Sequence, residues 1–475
     1  MHANFEISSQ IELKRFKRKL NEKLKRKKRR KRTHKIRILH KANKIKAESE
    51  LGGNFNLEHV ISTWMPETIM ELIGNEKSQF FADKLLDAFN KSKGKHIVPE
   101  HFSIVQNPKE SYQLIKGVFG ALIFQRQEEV LIDYSNCKEI DLGAQLLLDI
   151  IQKDILKFYR LCRRHPKTLP KVKKIGGRNV FEEKVQKMLF SVGTPAIDKN
   201  KPIYFDDIIP YPLCIHDREK EGDPIKIEQQ KEIDTTELVD YVLECLERMG
   251  RFLTPEKIED LSIVIGEILI NAEEHSSSKK RYSIGYFHEN NETGNHFGIF
   301  RLAILNFGET IYQKFKSPEC PNKEIVREME KLSAEYTRRN FFLFRDFEEE
   351  TLWTLYSLQE GVTSVPKSKY KKRGHGSIQF IEKFFNIQES KEVDKVSKMA
   401  ILSGNTSIVF DGKYAITEGV NSQGEKCKYM TFNNSGRIND KPDKEYVKFV
   451  EQDFPGTIIS AKILFNHDDF SNEIK

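Results

Sequence analysis

The sequence predicts a multidomain protein of the α/β and α+β classes, and three observations carry that prediction. A helix near residues 260–275 holds a polar stripe inside its apolar face. Several apolar strands run into glycine-bearing turns. Positive charge is gathered at one end of the chain. At 475 residues there is room for two or three domains.

The charge asymmetry sets the first boundary. Residues 1–50 hold nineteen Lys and Arg against five Glu, a balance of +14 in a chain whose total is +9, so the remaining residues carry −5. Within this tail, taken as 1–51, Leu13, Phe16, Leu20 and Leu24 recur at three- and four-residue spacing among the basic residues. That pattern predicts an amphipathic basic helix able to meet nucleic-acid phosphates or an anionic membrane surface, with a solvated basic extension as the alternative. Residues 14–46 are the expected nucleic-acid contact. No aromatic ladder or base-reading motif accompanies them, so binding there would be sequence-indifferent and salt-sensitive.

Residues 52–160 read as a separate α/β unit. Glu129–Ser135 (EVLIDYS) is a short apolar run ending in a turn, and Ile140–Ile151 (IDLGAQLLLDII) is a helix with a strongly apolar face. Residues 161–234 read as a connector rich in Lys, Pro and Gly, with a short helix at 181–190. A helix follows over Thr235–Met249, with Leu238, Tyr241, Val242 and Leu246 on one face.

The most informative segment comes next. In Gly266–His275 (GEILINAEEH), Glu267, Asn271 and His275 fall at i, i+4 and i+8, one stripe of a helix, with apolar residues on both sides of it. Polar groups embedded in apolar surface need partners, and a ligand is one way to supply them. Glu273 and Glu274 read as surface residues or as supports behind the ligand contacts, and His275 as either a contact to phosphate or lid or a satisfied helix end.

An acidic residue, three others and then Asn-Ala resembles the first conserved box of the GHKL ATP-binding superfamily (gyrase, heat-shock chaperone, histidine kinase, mismatch-repair ATPase). Three glycine-bearing segments follow in the order that superfamily requires. The first is Leu302–Ile311 (LAILNFGETI), a strand running into a turn at Gly308. The second is Arg373–Ile378 (RGHGSI), preceded by Glu360–Ser364 and followed by a helical pattern. Glycines at a helix start free backbone N–H groups for phosphate oxygens. The third is Phe454–Leu464 (FPGTIISAKIL), a Gly-Thr opening a strand near the C-terminus.

The resemblance implies a two-layer α/β sandwich of the Bergerat type over 235–475, with a long lid at about 312–372, nearest to the histidine-kinase-like and anti-sigma-factor branch. It implies ATP and Mg²⁺ as cofactors, Asn271 as the metal ligand and Glu267 as the general base. Asn306, Gly308, Thr310 and Thr457 would surround the base of the nucleotide, and Arg373, Gly374, His375 and Gly376 its phosphates. Asn306 stands where the superfamily has Asp, and Thr310 where it has a second glycine. Asn306 can accept through its carbonyl oxygen but brings a donor that must itself be satisfied. More loosely, 129–151 is similar to the STAS domain of anti-anti-sigma factors, with Leu142 and Gly143 where that family places its phosphorylated serine.

The lid segment reads as helix at Glu324–Arg338 and again near Phe347–Leu358, with aromatics (Phe341, Phe342, Phe344, Phe347, Trp353, Tyr356) between and within. These would form a docking surface or the lid's own core. Six scattered cysteines without a CxxC pair argue against a zinc site and a disulfide framework. No apolar run approaches a membrane span and no leader is evident, so a cytoplasmic protein is expected. No Walker-type loop is present.

Four functions follow: an ATP-dependent conformational switch with slow hydrolysis; a serine kinase acting on a separate protein; a nucleotide-stabilised interaction module without catalysis; and, last, a histidine kinase, for which no phosphoacceptor helix is found. A protein partner is expected in each case, with ATP-dependent dimerisation implied by several branches.

Overall fold

Two larger sheets, one parallel and one antiparallel, carry the fold beside two two-stranded pairs. The computed structural model describes residues 65–74, 76, 78–124, 129–162, 174–193, 205–218, 224–274, 280–290, 297–337, 346–364, 376–386, 398–420 and 424–465. Residues from Pro66 onward make one compact unit of mixed α/β structure. The basic tail lies outside the described residues.

The first half builds the parallel sheet. Its elements are α1 (Glu67–Gly74), α2 (Ala82–Ser92), β1 (His96–Ile97), β2 (His101–Phe102), α3 (Pro108–Phe124), β3 (Glu129–Asp133), β4 (Glu139–Ile140), α4 (Leu142–Cys162), β5 (Lys174–Arg178) and α5 (Glu183–Val192). Strands β1, β3 and β5 pair in parallel in that order, with His96 opposite Ile132 and Val130 opposite Ile175. Parallel neighbours need a crossover, which α3 and α4 supply. Strand β3 alternates, Val130 and Ile132 buried and Leu131 exposed, so one face of this sheet is packed and the other open.

The second half builds the antiparallel sheet from β6 (Ile208–Asp217), α6 (Pro224–Arg248), α7 (Pro255–Glu274), β7 (Lys280–Asn290), β8 (Phe297–Phe307), α8 (Ile311–Lys316), α9 (Lys323–Thr337), α10 (Glu349–Tyr356), α11 (Gly376–Asn386), β9 (Lys398–Phe410), β10 (Thr417–Val420), β11 (Lys426–Tyr429) and β12 (Val447–Phe465). The order is β6-β7-β8-β12-β9, antiparallel throughout. Helices α6, α7 and α11 cover one face. Leu238 and Val242, Val264 and Ile268, and Phe380 and Phe384 meet Phe300, Leu302, Ile304 and Ile459 in a single core.

Helix α4 covers the other face. It touches β8 and β12, and a Cβ on Gly143 would stand 2.7 Å from Ile458 Cδ1 and 3.1 Å from Ser460 Oγ. On the same face the hydroxyls of Thr68 and Tyr282 lie 3.1 Å apart. Every residue from Leu142 to Gln152 is buried, so the first three turns of this helix have no solvent side, while Lys153 and Lys157 further on are exposed. Leu146, Leu147, Leu148, Ile150 and Ile151 alone contribute roughly 10 kcal/mol of gross apolar burial, before conformational entropy is set against it.

Two segments differ from expectation. The stretch expected as a connector supplies β5, α5, β6 and the start of α6, and β6 is an edge of the main sheet. Pro210 and Pro212 sit on this edge strand, which pairs on one side only, and that is where a strand tolerates proline. The described part of the expected lid is three helices built into the fold. Helix α10 packs on β9 and β12, and Leu352, Trp353, Leu355 and Tyr356 belong to the main core. The Trp353 indole N–H donates to Ser333 Oγ at 3.1 Å, joining α10 to α9. Phe341, Phe342 and Phe344 lie outside the described residues.

Candidate functional site

One polar row crosses the helix-facing side of the antiparallel sheet. Arg281, Asn306, Thr457 and Ser403 are register partners on four successive strands, and all are at most 3% exposed. Their neighbours along β8 on that face are Phe300, Leu302 and Ile304, so each polar group must be bonded locally. Asn306 donates its amide to the Ala272 carbonyl of α7 and accepts from the Thr457 N–H at 3.1 Å. The Thr457 and Ser403 hydroxyls lie 2.8 Å apart, and Ser403 accepts from the Ile311 N–H at 3.0 Å. Arg281 donates to Asp234 of α6, whose other oxygen accepts from Gln230 at 2.7 Å. The row therefore ties the sheet to α6, α7 and α8 at once.

The glycines expected beside it have steric reasons. Gly308, at φ +111°, donates to the Pro455 carbonyl at 3.1 Å. Across from it Gly456, at φ +146°, leaves no room for a side chain, since a Cβ there would collide with the Asn306 carbonyl oxygen and the Phe307 Cα. Thr310 starts a helix. Its hydroxyl accepts from the Gln313 N–H at 3.1 Å while Gln313 bonds back to the Thr310 N–H at 3.0 Å, a capping box that starts α8.

Helix α7 carries Glu267 and Asn271 one turn apart, both half-buried, with Val264, Ile268 and Ala272 buried beside them. Asn271 meets the start of α11, where the Ser377 hydroxyl donates to its Oδ1 at 3.5 Å. The Asn271 Nδ2 is buried and has no hydrogen-bond partner among the described residues. The two helices are clamped by the Lys383–Asp260 ion pair at 2.7 Å and by Lys257 donating to the Asn386 carbonyl. Gly376 is the first residue of α11; Arg373, Gly374, His375 and His275 lie outside the described residues.

A second acidic group adjoins the row. Glu350 of α10 accepts from the Asn405 N–H at 2.8 Å, and its carboxylate occupies the space where a Cβ on Gly404 (φ +56°) would stand. Burial pushes the Glu350 carboxyl up to about 7 against the pull of that N–H, and the nearby Asp453 charge adds to the rise. Burial raises Asp453 as well.

Sequence reasoning thus placed Glu267, Asn271, Asn306, Gly308, Thr310, Gly376 and Thr457 on the elements that meet here. It missed Arg281, Ser403 and Ser377 as members of the site. A serine inside a strand and an arginine opening one carry no local signal; only strand register joins them to Asn306. No group of three or more His, Cys, Asp or Glu among the described residues could hold a metal by itself. The chain has no significant match among protein-family models, curated proteins or solved structures.

Proposed function

We propose that the second half binds Mg-ATP and works as an ATP-dependent conformational switch with slow hydrolysis. The observation that carries this is the meeting of α7 and α11. An amide whose buried nitrogen has no partner among the described residues faces the first turn of a helix whose preceding residues are glycine-rich. Helix starts favour anionic oxygens, and an orphaned amide needs a polar partner. The Asn271 side-chain oxygen suits Mg²⁺, which takes one or two protein oxygens and completes its shell with phosphate and water. Bound there, the ion would neutralise phosphate charge; Glu267, one turn earlier, would orient and deprotonate the attacking water. The Gly308–Gly456 approach and the row of Asn306 and Thr457 would receive the base.

A second reading, a nucleotide-stabilised interaction module without catalysis, is favoured by Asn306. Its donor and acceptor are each engaged with Ala272 and Thr457, leaving one hydrogen and one lone pair for a base. For the kinase reading, the start of α4, where a STAS-like acceptor would stand, is packed on β12, so the acceptor must be another protein. The basic residues 14–46 enter this proposal by charge alone, as an attachment to nucleic acid.

ADP release with Mg-ATP, wild type beside Glu267→Ala, tests the switch after both are shown to fold by circular dichroism. Turnover is expected to fall about 10²- to 10⁴-fold in the variant. Mg-ATP binding without turnover in either protein would favour the non-catalytic module. Absence of Mg-ATP binding at cellular concentration would end both readings.

A further inference from the structure

The parallel half has a cavity of its own. It measures about 890 Å³ and lies open to solvent at the carboxyl ends of β1 and β3, bordered by the end of α2 and by α3 from Lys109 to Gly117. That volume lies within the range of small-molecule pockets, and the carboxyl edge of a parallel sheet is where α/β units hold ligands. Four lysines and three glutamates line it, a balance of +1.

The charges are not equally committed. Lys138 pairs with Glu100 at 2.7 Å, Lys91 with Asp87 at 2.7 Å, and Glu110 accepts from Asn107 at 2.8 Å. Glu182 completes the lining. Lys95 and Lys109 have no carboxylate partner among the described residues, and Lys109 stands in the first turn of the seventeen-residue α3, whose positive end adds to the same field. His96 also lines the cavity. It is 4% exposed, and neither ring nitrogen has a hydrogen-bond partner among the described residues. Burial holds its pKa down at about 4, so at neutral pH the ring offers one donor and one acceptor. A buried polar ring without partners among the described residues, beside a cavity, is a candidate contact for a ligand's hydrogen-bonding group.

We propose that this cavity binds a small organic anion, with a phosphate or carboxylate group held by Lys95, Lys109 and the start of α3, and a neutral hydrogen-bonding group against His96. The site is independent of the nucleotide reading, since it shares no residue with α7, α11 or the polar row.

The full-length protein, labelled at histidine with ¹³C and ¹⁵N, tests this by titration with glycerol 3-phosphate, inorganic phosphate and citrate. The His96 resonance is assigned by its loss in His96→Gln. A saturable His96 shift is expected, with affinity about tenfold weaker in Lys95→Ala and again in Lys109→Ala, and unchanged in Asn271→Ala. Preference between the phosphates and citrate identifies the anionic group. A His96 signal unmoved by all three probes at millimolar concentration overturns the proposal. So does a shift that keeps its affinity in both lysine variants. Both substitutions are at exposed positions, and a thermal melt beside the titration verifies that each variant is folded.

Discussion

The two larger sheets of this chain are covered the opposite way round from what their types lead one to expect. Parallel sheets are ordinarily buried on both faces, while antiparallel ones can leave a face to water. Here the antiparallel sheet lies between α6, α7 and α11 on one side and α4 on the other, and its outer residues Ile284, Leu305 and Leu402 are at most 1% exposed. The parallel sheet has one packed face and one on which Ile97 is 48% and Leu131 38% exposed. Coverage is decided by where α4 goes, not by strand direction. The half covered on both sides holds a polar row bonded to the helices over it; the half left partly open holds the cavity, where His96 has no hydrogen-bond partner among the described residues.

That contrast has a signature in pH. His96 is held neutral, so its contribution to stability is complete above about pH 6.5 and is lost as pH falls toward 4. Glu350 is held protonated, so its contribution is complete below about 4.5 and is lost as pH rises through about 7. Each is expected to move unfolding free energy by up to about 3 kcal/mol, in opposite directions. Urea unfolding across this range should show the low-pH loss flattened in His96→Gln and the loss toward neutral pH flattened in Glu350→Gln. Two variants with the wild-type profile would show that neither burial governs stability.

The joint between the halves gives a smaller effect. Gly143→Val adds volume where α4 meets Ile458 and Ser460, and is expected to cost about 2 kcal/mol. Calorimetry should also show the single transition broadening or splitting as the halves uncouple. An unchanged melt would mean that α4 can shift off β12 without loss.

The smallest expected effect separates two roles for one residue. If Thr310 only starts α8, Thr310→Ala costs about 1 kcal/mol and leaves nucleotide affinity, measured by calorimetric titration, as in wild type. A loss of affinity well beyond the stability change would return Thr310 to the ligand.

What could be read from the sequence follows from range. Strand β3, helices α4 and α7, and the pair α9 and α10 announce themselves through local periodicity, and Gly308 and Gly456 through the turns they permit. Strand β6 did not, because its two prolines imitate a connector and only the pairing with β7 makes it a strand. The second covered side of α4 was hidden as well: an apolar helix looks the same whether it faces one sheet or two. Thr310 was read only for its place in a ligand box, while Gln313 three positions on already spelled a helix cap. Ser403 and Arg281 required the register of four strands, which no local pattern contains.

Helix α4 also imposes an order in time. Its second partner, β12, begins at Val447, roughly 300 residues after α4 begins at Leu142. At ordinary rates of translation that is a delay on the order of 15–60 s, far longer than a helix needs to form. Throughout it, the part of α4 meant for β12 has nothing to cover it, even after β8 has been made. The newly made chain must therefore keep this helix from other apolar surfaces until its last strand arrives, and its yield of folded protein will depend on what shelters α4 in the interval.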